Sequence, residues 1–109
     1  MSDREVGELN IRFLYFAGCP GVEPTLERLR AVMADEGVAC PIEMVDIPDK
    51  AAMNREGFIG SPSIQINGRD IEPERRSDAP CYGCRIYPNG EPVPPEHLIR
   101  SALRDVRAL

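Results

Sequence analysis

The sequence predicts an α/β domain: a mixed four-stranded sheet flanked by helices, in the chain order β-α-β-α-β-β-α. Three observations carry this. An apolar, β-favouring run at residues 11–16 (IRFLYF) and another at 42–47 (IEMVDI) bracket a helix-spaced apolar set. A strand-helix-strand unit of that kind makes its two strands parallel. Asn67-Gly68 sits between two short strand-like runs, the strongest short hairpin signal, and adds an antiparallel pair.

Each element has its own justification. Residues 11–16 are interrupted only by Arg12 and stop before Gly18, as a buried central strand does. Val22, Leu26, Leu29, Val32 and Met33 line one face of a helix. Pro24 falls in its first turn, where a missing N–H is harmless, and Gly37 closes it as a left-handed cap. Residues 42–47 form the second strand, with Ile42, Met44 and Val45 available to the core. Pro48-Asp49 opens a short helix over residues 50–57 carrying Ala51, Ala52 and Met53. Ile64-Gln65-Ile66 alternates as a half-buried strand, and residues 69–71 return from the turn. Residues 72–80 are polar, and Arg85-Ile86-Tyr87 reads as a short extended piece. Pro94 and Pro95 begin a last helix with Leu98, Ile99, Ala102, Leu103 and Val106 on one face.

Length and charge narrow the function classes. The 109 residues make one domain, expected to span 1–109 with residues 1–9 as a flexible lead. Eighteen acidic against thirteen basic residues give a net charge of −5, unfavourable for nucleic acid or an anionic membrane surface. No apolar stretch approaches the roughly 18 residues of a membrane span. The polar, acidic residues 1–10 do not read as a secretory signal, so the expected compartment is the cytoplasm. No phosphate-cradling glycine motif occurs, and no organic cofactor is implied.

The four cysteines are the informative residues: Cys19 in Gly18-Cys19-Pro20-Gly21, Cys40 beside Pro41, and the C-x-x-C of Cys81 and Cys84. Without an export signal they read as reactive, metal-binding or buried thiols rather than structural bridges. Cys19 precedes a predicted helix by a few residues, where oriented N–H groups and the helix dipole favour a thiolate. Cys81 and Cys84 form a redox pair, resolve an oxidised Cys19, or supply two soft-metal ligands, with Gly83 easing the turn between them. Cys40 has no activating neighbour and reads as structural, and His97 as a surface residue of the last helix. Tyr15 and Phe16 read as core, Tyr82 flanks the thiols, and Arg75-Arg76 reads as solvated among Glu72, Glu74 and Asp78.

With these residues in order, the chain resembles the thioredoxin superfamily across about residues 10–106. The resemblance is carried by Gly18-Cys19-Pro20 after the first strand, Ser61-Pro62-Ser63 before the hairpin, and the closing helix. The stretches LYFAGCP, GSPSIQINGRDIEP and CYGCRIYPNG are similar to small bacterial thioredoxin-like proteins of the DF (seleno)protein type and to those associated with alkylmercury lyases. The resemblance implies that Cys19 is the first active-site cysteine and Pro62 a cis-proline facing it. Ser61 would then present its backbone to an extended substrate. Val22 stands where dithiol members carry a second cysteine, so the family's usual internal disulfide cannot form there.

The resulting expectation is thiol-disulfide or peroxide-linked redox chemistry, with Cys19 as nucleophile, Cys81 or Cys84 as resolving thiol, and Ser61 and Pro62 binding substrate. The partner is a thiol or protein disulfide, and electrons come from glutathione or another thioredoxin-like protein. Two alternatives stand beside it. One is a soft-metal carrier holding Hg(II), Cu(I) or Zn(II) on Cys19, Cys81 and Cys84. The other is an interaction module that keeps the fold without the chemistry.

Overall fold

Strand β1 (Ile11–Tyr15) lies inside the sheet, between β2 (Ile42–Asp46) and β3 (Ser63–Ile66), with β4 (Arg69–Asp70) beyond β3. The computed structural model describes residues 9–107. β1 and β2 run parallel, with Phe13 opposite Met44. β1 pairs antiparallel with β3, and β3 with β4. The sheet is mixed and four-stranded, as the sequence predicts.

Successive strand residues point to opposite faces, and β1 uses both. Ile11 and Phe13 enter a core shared with Leu26, Leu29 and Val32 of α1 (Val22–Asp35) and Ile99 and Leu103 of α3 (Glu96–Arg107). Leu14 points the other way, into a smaller cluster with Ile47, Phe58 and Ala52 of α2 (Lys50–Glu56). Helices therefore cover both faces. Asp49 caps α2, its carboxylate accepting from the Ala52 N–H at 2.9 Å. In the hairpin Asn67 (φ +52°) and Gly68 (φ +81°) both take the positive φ of a type I′ turn.

Several expectations are corrected. Phe16 lies beyond the end of β1 and is half-buried, packed against the smaller cluster. Met44 is exposed, because β2 is a sheet edge and only Ile42 and Val45 of its apolar residues are part-covered. The last helix starts at Glu96, after both prolines. Residues 85–87 are not a strand; their segment meets the sheet through one isolated parallel bridge, Ser61 with Cys84. The expected lead, residues 1–9, lies outside the described residues except for Leu9, which packs against the main core. No helix among the described residues is long and apolar enough to cross a membrane.

Candidate functional site

The loop after β1 turns twice within a few residues. The Cys19 N–H donates to the Phe16 carbonyl at 3.3 Å, and the Cys19 carbonyl accepts from the Val22 N–H at 3.2 Å. The second turn feeds directly into α1, so Cys19 stands just before the helix, as expected. The residue is 7% exposed, and its thiol donates toward the Ser61 carbonyl at 3.6 Å. Ser61 is fully buried and joined to Pro62 by a cis peptide bond, in agreement with the expectation for Pro62. The Ser61 hydroxyl accepts from the Phe16 N–H at 3.4 Å, tying the Cys19 loop to the proline loop a second time.

The C-x-x-C reaches the same place from far along the chain. Cys84 pairs with Ser61 in a parallel bridge: the Ser61 N–H donates to the Gly83 carbonyl at 2.8 Å, and the Ser61 carbonyl accepts from the Arg85 N–H at 2.9 Å. Paired residues of such a bridge project to the same side, one strand spacing of about 4.8 Å apart. Ser61 is therefore the common neighbour of Cys19 and Cys84. Cys81 lies farther out, its N–H donating to the Phe58 carbonyl at 2.9 Å. Both Cys81 and Cys84 are exposed, and the cysteines are all free thiols.

Two glycines permit this convergence. A Cβ on Gly60, at φ +126°, would lie 3.0 Å from the Arg85 Cβ. One on Gly21 would lie 3.3 Å from Pro62 Cδ and 3.2 Å from Pro92 Cβ. Gly83 plays a different part from the one expected: its φ is not positive, and it serves through its carbonyl.

Tyr82 holds the outer side of the loop. Its ring lies 5.2 Å from that of Phe16 and 6.3 Å from that of Phe58, and its hydroxyl donates to the Ile47 carbonyl at 3.1 Å. Phe16, expected as core, thus forms part of the wall beside the thiols. Cys40 is half-buried against the main core, and burial pushes its thiol pKa up, consistent with a structural role. His97 is exposed on α3. Arg75 and Arg76 lie at the surface, Arg76 exposed as expected, and each also has a partner: Arg75 pairs with Asp78, and Arg76 donates to the Asp70 carbonyl at 2.8 Å.

A buried charge cluster behind the bridge escaped the sequence reading. The Arg85 side chain is 0% exposed. One of its terminal nitrogens donates to Asp70 Oδ1 at 2.8 Å and Ser63 Oγ at 2.9 Å. The other donates to Asp70 Oδ2 at 2.6 Å and Glu72 Oε1 at 3.0 Å. The guanidinium also lies 4.3 Å from the centre of the Tyr87 ring, whose hydroxyl donates to the Pro62 carbonyl at 2.6 Å. Burial by itself lowers the Arg85 pKa, but the Asp70 hydrogen bond, with Tyr87 and Glu72, outweighs it and holds the guanidinium charged. Burial also raises the Tyr87 pKa, keeping its phenol a donor. The available signal was the i, i+2 spacing of Asp70 and Glu72 around Ile71, which puts two carboxylates on one side of an extended segment.

Among the described residues, no group of three or more His, Cys, Asp or Glu is arranged to hold a metal ion. The three-thiolate arrangement that the soft-metal alternative needs is therefore not preformed. No protein-family model, curated protein or solved structure matches this chain.

Proposed function

We propose that this chain is a thioredoxin-like thiol redox protein in which Cys19 is the nucleophile and the Cys81/Cys84 pair resolves the oxidised Cys19. The observation that carries this reading is the position of Ser61, which receives the Cys19 thiol on its carbonyl and pairs with Cys84 along its backbone. A buried thiol on the Ser61 carbonyl and an exposed cysteine paired with Ser61 along the backbone support an intrachain disulfide that opens and closes.

Cys19 as thiolate attacks one sulfur of a substrate disulfide, forms a mixed disulfide and releases the other half as a thiolate. The Cys84 thiolate then attacks the Cys19 sulfur, closes a Cys19–Cys84 disulfide and releases the second half. The substrate gains two electrons, and the protein's two thiols are oxidised. Two electrons from a thiol donor, such as glutathione or another thioredoxin-like protein, reopen the bond. Exposed Cys81 would attack Cys84 by internal exchange, moving the bond to Cys81–Cys84 and releasing Cys19 as a thiolate, and the thiol donor then reduces that pair before the next cycle.

Differential alkylation with peptide mapping tests this, on protein purified anaerobically and again after mild oxidation. A reversible Cys19–Cys84 or Cys19–Cys81 link is the expected result, and Cys19→Ser abolishes it. If Cys19 stays alkylatable and unlinked after oxidation, the redox reading is wrong.

A further inference from the structure

An extended polypeptide recognised at a strand edge needs free backbone N–H and C=O groups to pair with. Beside Cys19 those groups belong to Ser61, and both are already used. The Ser61 N–H is bound to Gly83 and its carbonyl to Arg85. Residues 83–85 thus lie where an incoming strand would lie.

This strap is pinned from several directions. Arg85 is anchored by Asp70, Glu72 and Ser63 without solvent exposure. On one side Tyr82 is fixed to Ile47, and on the other Tyr87 to Pro62. Removing the strap would pull a guanidinium away from two buried carboxylates, a change that is strongly destabilising. Cys19, whose thiol donates toward the same Ser61 carbonyl that Arg85 binds, is only 7% exposed.

We infer that the strap sets the substrate class: Cys19 reacts with a low-molecular-weight disulfide that reaches its sulfur beneath the strap, and residues 83–85 exclude extended polypeptide disulfides. The inference rests on the redox reading above and narrows it. The first step is the exchange already written, with the small disulfide as oxidant and its released half leaving as a thiolate. Cys84, held on the strap, is then the resident partner of Cys19.

The test uses two probes with the same leaving group, so that they differ in access alone. One is the mixed disulfide of cysteamine with thionitrobenzoate. The other is the mixed disulfide of thionitrobenzoate with a cysteine in the middle of an extended peptide. The full chain carrying Cys40→Ser, Cys81→Ser and Cys84→Ser leaves Cys19 as the reacting thiol, and released thionitrobenzoate reports the first step. The cysteamine probe is expected to react about 10²-fold faster, the scale of loss when a reacting group cannot reach its geometry. Adding Tyr82→Ala, which frees the outer side of the strap, is expected to narrow that gap several-fold.

Equal rates for the two probes overturn the inference and leave the redox reading standing. An unchanged gap in Tyr82→Ala also overturns it, because the exclusion then lies elsewhere. If neither probe reacts, Cys19 is not a nucleophile, and both readings fall. Hydrogen exchange on the unaltered protein gives an independent check: the Ser61 and Arg85 amides are expected to be protected. Exchange as fast as in an open loop would mean that the strap is not seated.

Discussion

Two regions packed around the sheet, the α1/α3 core and the loop that bears Cys84, are held by different physics. On one side, α1 and α3 press Leu26, Leu29, Val32, Ile99 and Leu103 against Ile11, Phe13, Ile64 and Ile66, an apolar contact without direction. Beside the thiols, a single guanidinium joins three segments through directed bonds to Asp70, Glu72 and Ser63. An apolar layer tolerates a shift of its parts as long as volume is conserved. A bidentate ion pair does not. The difference shows where the molecule demands position: the loop bearing Cys84 is fixed by angles and charges, while the helices are fixed by shape.

Each region has a centre that a single substitution removes. Arg85→Ala leaves buried Asp70 with the Glu72 N–H and Glu72 with the more distant Arg75, removes the guanidinium they share, and is expected to destabilise by about 3–5 kcal/mol. Leu29→Ala empties a fully buried site and is expected to lose about 2–5 kcal/mol. The sizes overlap, so coupling must separate the two regions. Asp70→Asn combined with Arg85→Ala should depart from additivity by about 0.5–3 kcal/mol, because both act in one network, while Asp70→Asn and Leu29→Ala should add. Urea unfolding of the single and double variants measures both. Additivity in both pairs would mean that Arg85 and Asp70 do not act as a unit.

Tyr87→Phe makes a smaller change beside the same cluster. The ring stays under the Arg85 guanidinium, but the Pro62 carbonyl loses the phenolic donor at 2.6 Å. A buried acceptor left unsatisfied costs about 1–3 kcal/mol, and the same unfolding measurement reads it. A loss below the low end of that range would show that water replaces the phenol at Pro62.

Periodicity made the apolar side legible and left the polar side obscure. The helix spacing of Leu26, Leu29, Val32 and Met33 states a buried face, and Asn67-Gly68 states a turn, because both patterns are local. Cys19 and Pro62 were legible through the resemblance and their order along the chain. Arg85 was not. The sequence places Arg85 only in a short extended piece, and its partners Asp70 and Glu72 come from a separate segment, so the pairing leaves little local pattern. The same applies to Ser61, whose backbone partners at Gly83 and Arg85 are set by tertiary contact alone. Met44 was misread for a related reason, since whether a strand is central or at the edge depends on the order of strands.

A second polar clamp, between α1 and α3, gives the smallest effect and sets arginines that reach solvent beside the fully buried Arg85. Glu36 caps the C-terminus of α1, where the helix dipole disfavours a negative charge. Arg104 and Arg100 of α3 reverse that: Arg104 donates to both Glu36 oxygens at 3.0 Å, and Arg100 donates to one at 2.8 Å. Their hydrogen bonds lower the Glu36 pKa from 4.5 to about 2. A carboxyl whose pKa is depressed on folding contributes stability that is fully present above its unfolded value and is lost as pH falls through the folded one. This contribution should therefore be intact at neutral pH and fade between about pH 4.5 and about pH 2. Glu36→Gln should unfold at a lower temperature than the unaltered chain at neutral pH, and the difference should shrink across that acid window. Raising salt should also reduce it, because the Arg104 side chain is exposed and its charge is screened. The buried Arg85 cluster should respond much less to salt. A Glu36→Gln deficit that persists unchanged at the acid end would mean that the arginines act on α1 through packing of their stems rather than through charge.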